Sequence, residues 1–255
     1  MRLTFLLLYL PCPALAATLL HNEGVATLPD GRVAYREMHW QRGATEGAER
    51  WVQYLCPDGQ PFARKHMAAT DRPLARGYRL LDQRSGQQAD VEMSSDTVRI
   101  SWKESASSTS RQARLPAPAG AVVDAGFDAA VRQHWTPLLQ GAEVTLPFLV
   151  PGRQRFYPVK VSWRGANRWR GLAAQSFEVQ LDTWYGGVAP RLSLVYAEAD
   201  RRLLEFRGTS NLRDARGTYP AVVVRFDSPP APQPDSQWQQ AWARPLVAGC
   251  AVTAK

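Results

Sequence analysis

Short runs of alternating polar and apolar residues, separated by turn residues, fill most of the sequence from Gly24 onward. Because side chains of a β-strand point alternately to the two faces of a sheet, this pattern predicts antiparallel strands. Three hairpins are expected, with turns at Pro29-Asp30-Gly31, at residues 57–60 and at residues 94–96. The predicted fold is mainly β, with about ten strands. Those of the second half are expected at residues 143–150, 156–163, 175–182, 191–197, 202–208 and 219–226.

A single segment carries the spacing of a helix instead. Large apolar residues recur every three or four positions within residues 124–140, at Phe127, Val131, Trp135 and Leu138. Asp124 is suited to cap the N-terminus of this helix, and Pro137 predicts a kink or a tightened last turn. An apolar helical face of this width must be covered. We therefore expect the amphipathic helix to pack on the concave face of a curved antiparallel sheet or partial β-barrel.

Residues 1–16 have the pattern of a secretory signal peptide. Arg2 precedes a short apolar run, and Ala14-Leu15-Ala16 fits the cleavage signal. Cleavage after Ala16 predicts a periplasmic or secreted protein, and lipid attachment at Cys12 is the alternative. After cleavage no apolar stretch approaches the ~20 residues that a membrane helix needs, so we expect no transmembrane span.

The rest of the chain is predicted to form a single β-rich domain over residues 17–227. Residues 104–120 have almost no apolar content and predict a mobile loop within this domain. The alternative is that this segment separates two domains. Residues 228–255 predict a proline-rich linker followed by a C-terminal tail that contains Trp238 and Trp242.

Export would leave two cysteines, Cys56 and Cys250, because Cys12 departs with the signal peptide. In an oxidising compartment this pair is a disulfide candidate, and two separate buried thiols are the alternative. Cys56 also lies near His66 in the stretch QYLCPDGQPFARKH. The predicted hairpin places these two residues five rows apart, about 16 Å, whereas a thiolate–imidazole pair needs about 3 Å. A cysteine–histidine dyad is therefore not expected in this hairpin.

The sequence predicts no catalytic residue, no metal ligand and no cofactor. No metal-site spacing occurs among the four histidines, His21, His39, His66 and His134. Asp124 and Asp128 could form a glycosidase-like carboxylate pair, but capping and the helix dipole explain them better. If the protein is an enzyme, His39 and Asp214 are the kind of pair to inspect.

Tryptophan and arginine occur together twice in SWRGANRWRGL, at Trp163-Arg164 and at Trp169-Arg170. A guanidinium group stacks favourably on an indole ring, so these residues could form a surface for an anionic lipid or glycan. The alternative is a hairpin that turns near Ala166-Asn167, in which Trp and Arg stack across the strands. Together with the helix face, the candidate ligand contacts are Phe127, Trp135, Leu138, Trp163, Arg164, Trp169 and Arg170.

The net charge of +8 favours anionic partners, while export makes nucleic acid an unexpected one. Our leading hypothesis is a non-enzymatic exported protein that binds a lipidic, anionic or otherwise amphipathic component of the cell envelope. One alternative is a structural or assembly factor that holds an envelope protein through an exposed aromatic patch. The other is an enzyme whose site the sequence does not reveal.

Four stretches of the chain resemble, as a set, a group of exported proteobacterial proteins of unknown function. They are YLCPDGQPFARK, VVDAGFDAAVRQHW, LPFLVPGR and LSLVYAEADRRLLEFRGTSNLRDARG. The resemblance covers most of residues 24–227 and implies no activity and no site residue. A curved sheet with one helix is also similar in architecture to periplasmic lipoprotein carriers, which is a likeness of fold alone.

Overall fold

The computed structural model describes residues 18–181 and 191–250. Within these ranges the three α-helices are α1 (Gly126–Gln133), α2 (Trp135–Leu139) and α3 (Asp235–Ala243). A 3-10 turn occupies Pro151–Arg153. The strands are β1 (Leu19–Thr27), β2 (Val33–Arg42), β3 (Arg50–Leu55), β4 (Pro61–Met67), β5 (Tyr78–Asp82), β6 (Gln88–Met93), β7 (Thr97–Lys103), β8 (Arg111–Pro116), β9 (Val122–Val123), β10 (Val144–Val150), β11 (Arg155–Trp169), β12 (Leu172–Leu181), β13 (Arg191–Ala197), β14 (Leu203–Thr209), β15 (Ala221–Arg225) and β16 (Ala231–Pro232).

All of these strands belong to one curved sheet. Its order is β8-β7-β6-β5-β4-β3-β2-β1-β15-β14-β13-β12-β11-β10-β9, and β16 pairs with β1 outside this path. The pairing of β1 with β15 joins the N-terminal strands to the C-terminal strands. The mainly β, curved and barrel-like fold predicted from the sequence is therefore confirmed.

The two ends of the sheet come close to each other without closing a barrel. β8 is one end of the strand order, and β9 and β10 form the other. Arg111 in β8 nevertheless donates a hydrogen bond to the carbonyl of Gly152, just after β10, at 2.8 Å. The sheet must curl through most of a turn to bring these two residues together.

The predicted hairpin turns at residues 29–31, 57–60 and 94–96 are confirmed. In the second hairpin Trp51 lies opposite His66 and Gln53 opposite Arg64, as expected. The Nε2 atom of His66 shares a hydrogen bond with Glu49 at 2.8 Å, and Cys56 is bonded to Cys250, so the two residues form no dyad.

The expected number of strands, about ten, is too low. The described residues form sixteen strands, and the sequence predicts no strand at β5, β8, β9 and β16. β8 lies inside residues 104–120, where the sequence predicts a mobile loop. Its side chains are mostly exposed, so it carries no apolar alternation, and backbone hydrogen bonds to β7 hold it in place.

The helix predicted over residues 124–140 consists of two segments, α1 and α2, with a break at His134. Pro137 explains the break, because its ring would clash with the carbonyl four residues earlier, at Gln133. Asp124 does not cap α1: its φ is +49° and it forms no capping hydrogen bond. Asp128 lies in the first turn of α1 and pairs with Arg132, one turn later.

Two apolar cores fill the two halves of the curled sheet. One contains Tyr54, Phe62 and Ile100 from the N-terminal strands. In the other, α1 and α2 pack on β10 to β13, and the ring centroids of Trp135 and Phe177 are 5.2 Å apart. The helix therefore lies on the concave face, as predicted.

The C-terminal residues pack on the outer face of β1 to β4. Trp238 of α3 contacts Trp51 with ring centroids 4.7 Å apart, and Gln53 donates to the carbonyl of Ala241 at 2.8 Å. The predicted disulfide between Cys56 and Cys250 is present, with a Cα–Cα distance of 5.3 Å. The sequence predicts a linker and a tail at residues 228–255. In the structure this segment contains α3, which packs on the sheet, and Cys250, which is bonded to Cys56.

None of the helices in the described ranges has the length and apolar character that crossing a bilayer requires. The predicted signal peptide, residues 1–16, lies outside the described residues.

Candidate functional site: a cavity with one polar and one apolar wall

A cavity of about 840 Å³ lies inside the curled sheet, bordered by α1 and by strands from both halves. Ligand-binding pockets of proteins commonly measure about 300–1,000 Å³, so the cavity has room for one small amphipathic molecule. Five of its lining residues are exposed to solvent, namely Ala44, Asp200, Thr209, Asn211 and Pro230. The cavity therefore reaches the protein surface.

One wall of the cavity is polar and is built mainly by β2. Every second residue of this strand faces the cavity, namely Tyr35, Glu37, His39 and Gln41. The alternate residues Met38 and Trp40 face outward and pack in a cluster with Trp238 of α3. Because α3 covers the outer face, β2 can turn its polar side chains inward.

The neighbouring strands β3 and β4 continue the polar wall with Arg50, Tyr54 and Lys65. Tyr35 and Ser210 share a hydrogen bond at 3.0 Å between their hydroxyl oxygens. Burial is the first cause that raises the pKa of both Tyr35 and Tyr54, and the charge of Glu37 raises them further. Both phenols thus remain neutral at physiological pH.

The other wall is apolar and comes from α1 and from β10 to β15 with the residues beside them. It consists of Phe127, Phe148, Val150, Val159, Val179, Leu181, Leu192, Leu203, Phe206, Val224 and Phe226. Removing apolar surface of this kind from contact with water lowers the free energy by about 25 cal/mol per Å². The cavity as a whole is amphipathic.

A buried ion pair joins α1 to the polar wall. The ammonium group of Lys65 lies 2.9 and 2.8 Å from the two carboxylate oxygens of Asp124, and Asn211 also donates to Asp124 at 3.2 Å. The side chains of Lys65 and Asp124 are only 6% and 12% exposed. The left-handed backbone of Asp124 directs the chain into α1, while Val123 beside it donates to the carbonyl of Leu74 at 2.9 Å.

A second ionic group lies on α1 itself. Arg132 donates to the two carboxylate oxygens of Asp128 at 3.0 and 2.5 Å and also contacts Glu46. Burial lowers the pKa of Arg132, but Asp128 and Glu46 outweigh burial, and the net pKa is raised. Arg132 is therefore a permanent cation at the cavity, held by two carboxylates.

His39 lies in the polar wall and pairs with Glu37 at 2.8 Å, with its ring against Phe226. Asp214 accepts hydrogen bonds from Thr218 and is absent from the cavity lining. The structure therefore does not pair His39 with Asp214. Among the described residues, no group of three or more His, Cys, Asp or Glu side chains could hold a metal ion.

The ligand contacts predicted on the helix divide between the cavity and the core. Phe127 lines the cavity. Trp135 and Leu138 lie in the core beneath α1 and α2, 5% and 0% exposed, and do not line the cavity.

The Trp–Arg residues at the end of β11 and in the turn after it lie outside the cavity lining. Arg164 pairs with Glu178 at 2.6 Å, and Arg170 pairs with Asp227 at 2.8 Å while stacking on Trp169. Trp163 donates its indole N–H to Gln175 at 2.9 Å. The stretch is part of a hairpin, but the stacking of Arg170 on Trp169 joins sequence neighbours and does not cross the strands as the alternative expected.

The expected turn of this hairpin, near Ala166-Asn167, is wrong. β11 continues to Trp169, and the turn is formed by Arg170 and Gly171, whose φ angles are +47° and +86°. Two central residues with positive φ are typical of the tight turns that match the twist of a β-hairpin. Gly171, which readily adopts a positive φ, is the feature of the sequence that indicates a turn at this position.

Sequence reasoning did not single out Arg50, Lys65 or Glu37 as cavity residues. The signal was present in β2, where polar residues alternate with Met38 and Trp40, but it does not say which face is inside. Only the position of α3, which packs on Met38 and Trp40, shows which face of β2 points outward.

The chain matches no protein-family profile, and no curated protein matches it. Among solved structures, it is similar to a crystal structure of a β-barrel-like protein of domain of unknown function DUF1849 from Brucella abortus. The TM-score is 0.50 and the sequence identity 7%, and the match covers 87% of this chain and 100% of that chain. At this identity the likeness shows a shared β-barrel-like fold, in agreement with the resemblance to an uncharacterised β-rich group.

Proposed function

We propose that this protein is a non-enzymatic protein of the cell envelope that binds one lipidic or otherwise amphipathic molecule in the cavity. The observation that carries the proposal is one cavity of about 840 Å³ whose lining is polar along β2 and mainly apolar along β10 to β15, with some residues of the other kind on each side. A molecule with an apolar chain and a polar end would match both walls at once.

The energetics of the two walls support a binding role. The free energy falls when a hydrocarbon chain replaces the water that contacts the apolar side chains of the cavity. The polar groups opposite must keep hydrogen-bond partners, which a polar headgroup supplies. A fully apolar ligand would leave these groups without partners.

The arrangement of the cavity carboxylates also supports binding rather than catalysis. Asp124 is held by Lys65, Asp128 and Glu46 are held by Arg132, and Asp200 pairs with Arg202. These pairs fix the shape and charge of the wall. The signal-like residues 1–16 and the disulfide between Cys56 and Cys250 support export into an oxidising compartment.

The proposal is tested by blocking the cavity from its apolar side. Leu203 lines the cavity, and Leu203→Trp would fill part of it. The matched control is Leu172→Trp, because Leu172 is an exposed leucine outside the cavity lining. Binding of a fluorescent fatty-acid analogue to natively purified protein is measured for the original protein and both variants.

We expect the original protein and Leu172→Trp to bind the probe alike, and Leu203→Trp to bind it at least roughly tenfold more weakly, a loss of about 1.4 kcal/mol. Thermal unfolding confirms that each variant is folded. Native mass spectrometry of the purified protein should also show a co-purifying amphiphile. Absence of binding to the original protein, or equal binding by all three proteins, would refute the proposal.

A further inference from the structure

Resting on the proposed binding function, we infer that Arg50 receives the headgroup of the ligand and that this headgroup is an anion. The ligand class is then a long-chain molecule that ends in a carboxylate or a phosphate. The apolar wall holds its chain.

Arg50 differs from the other bases that line the cavity. Lys65, Arg132 and Arg202 each form an ion pair with a carboxylate. Arg50 forms none with any described residue within 4.0 Å. It is the lining cation that remains available to a ligand.

The position of the Arg50 guanidinium is set by Gln41. Its Nε and Nη2 atoms donate to the side-chain oxygen of Gln41 at 3.1 and 2.6 Å. The amide nitrogen of Gln41 in turn donates to the carbonyls of Gly43 and Thr45 at 2.7 and 3.1 Å. This chain of hydrogen bonds orients the guanidinium, and no described residue accepts a hydrogen bond from Nη1. A carboxylate or phosphate oxygen is a strong acceptor for that group.

The carboxylates nearest to Arg50 are bonded to other bases. The carboxylates that act on it are Glu46, Asp124 and Asp128, and the nearby cations are Arg132 and Arg76. The three carboxylates are already bonded, Asp124 to Lys65 and the other two to Arg132. Arg50 is thus left without a carboxylate partner of its own among the described residues, although the cavity lining as a whole carries five carboxylates and four Lys or Arg cations.

Arg76 lies near Arg50 and likewise forms no ion pair with a described carboxylate. Arg76 is 6% exposed and donates only to backbone carbonyls, those of Ala48 and Glu46. Burial first, and the charge of Arg50 second, lower its pKa to about 10. A cavity of about 20 Å³, roughly the space of one water molecule, separates the two arginines from α1. A bound anion near Arg50 would offset the repulsion between the two guanidinium groups.

The test compares three ligands with the same sixteen-carbon chain: palmitate, hexadecyl phosphate and hexadecanol. Each displaces the fluorescent fatty-acid analogue from natively purified protein at a pH where both acids are ionised. The variants are Arg50→Gln, which removes the charge, and Arg50→Lys, which keeps it. Arg164→Gln is the matched control, because Arg164 lies outside the cavity lining and pairs with Glu178.

We expect the original protein to bind at least one of the two anions roughly tenfold or more tightly than hexadecanol, since hydrogen bonds to charged groups are the strong ones. Arg50→Gln should abolish this preference while hexadecanol still binds. Arg50→Lys should keep part of the preference, and Arg164→Gln all of it. The anion that binds more tightly identifies the source of the headgroup as a fatty acid or a phosphate ester.

The two proposals fail in different ways. If none of the three ligands binds the original protein, the proposed function is refuted. If hexadecanol binds the original protein as tightly as both anions, only the assignment of Arg50 is refuted, and this result needs no variant. A preference for an anion that survives in folded Arg50→Gln also refutes the assignment.

Discussion

Strands β1 to β4 and strands β11 to β15 differ in what covers their outer face. On β1 to β4 the cavity side carries polar residues such as Glu37 and Lys65 beside apolar ones, and the outward Leu19, Trp40 and Trp51 are buried beneath α3. On β11 to β15 the apolar residues face inward, and the outer face carries ion pairs such as Arg164 with Glu178. A strand can therefore bury either face, provided that some element covers the outer one.

The largest expected effect tests the ion pair that anchors α1 to the polar wall. Lys65→Met leaves Asp124 as a buried charge without its partner, which costs about 3–5 kcal/mol of unfolding free energy. Lys160→Met is the control, because Lys160 forms an exposed pair with Glu143 and should cost less than about 1 kcal/mol. Urea denaturation measures both.

Removal of both charges sharpens this result. In Lys65→Met/Asp124→Asn no unpaired charge is left, so part of the lost stability should return. Asparagine also tolerates the positive φ of residue 124. Equal losses in Lys65→Met and Lys160→Met would show that the pair in the cavity wall behaves like one on the surface.

The second prediction concerns the tie between the C-terminal residues and the N-terminal half. Cys56→Ser/Cys250→Ser removes a disulfide that joins residues 194 positions apart, at an expected cost of about 2–5 kcal/mol. The same loss should follow when a reductant acts on the original protein. An unchanged urea midpoint under reduction, with free thiols confirmed by mass spectrometry, would contradict it.

The third prediction removes the cover of the outer face. Trp238→Ala leaves Trp51 and Trp40 partly open to water, at an expected cost of about 1–3 kcal/mol for a half-buried ring. Gln239→Ala, an exposed change on the same helix, should leave stability nearly unchanged. Thermal unfolding and tryptophan fluorescence report both. Equal unfolding temperatures for the two variants would mean that α3 does not protect this face.

The smallest effect concerns Asp82, at the end of β5. Burial raises its pKa above the usual value of 3.8, although Arg84 and two backbone N–H groups oppose the shift. An acid whose pKa is raised in the folded state binds its proton more tightly there, so stability falls as the pH rises through that pKa. Asp82→Asn should therefore reduce the loss of stability between pH 4 and pH 7, measured by urea denaturation at both values. A larger loss in the variant would contradict this sign.

Much of the strand pattern could be predicted from the sequence because its signals are local. The turn at residues 57–60 and the register of Trp51 with His66 follow from a Pro-Asp-Gly turn and from alternation. β8 could not be predicted in this way, because an edge strand with exposed faces needs no apolar residues. The break at His134 has a local cause in Pro137, which the sequence predicts as a kink nearer the end of the helix.

The candidate site was less accessible to sequence reasoning. Phe127 was found because it belongs to a helical pattern, and it does line the cavity. Arg50 carries no such pattern, since the role we propose for it depends on the folded structure, in which none of the described carboxylates pairs with it. The aromatic–cationic stretch at residues 163–170 attracted attention by composition, yet its arginines find their partners on neighbouring strands and loops.

The sequence by itself predicts short antiparallel strands, one amphipathic helical segment and a pair of cysteines able to tie the C-terminal tail to the body of the protein. Only the tertiary structure decides which face of β2 is inside. The reason is physical: alternation is symmetric with respect to the two faces of a strand, and the choice depends on α3, which lies about 200 residues later and buries the tryptophans outside. That choice turns the polar residues of β2 into the wall of a cavity.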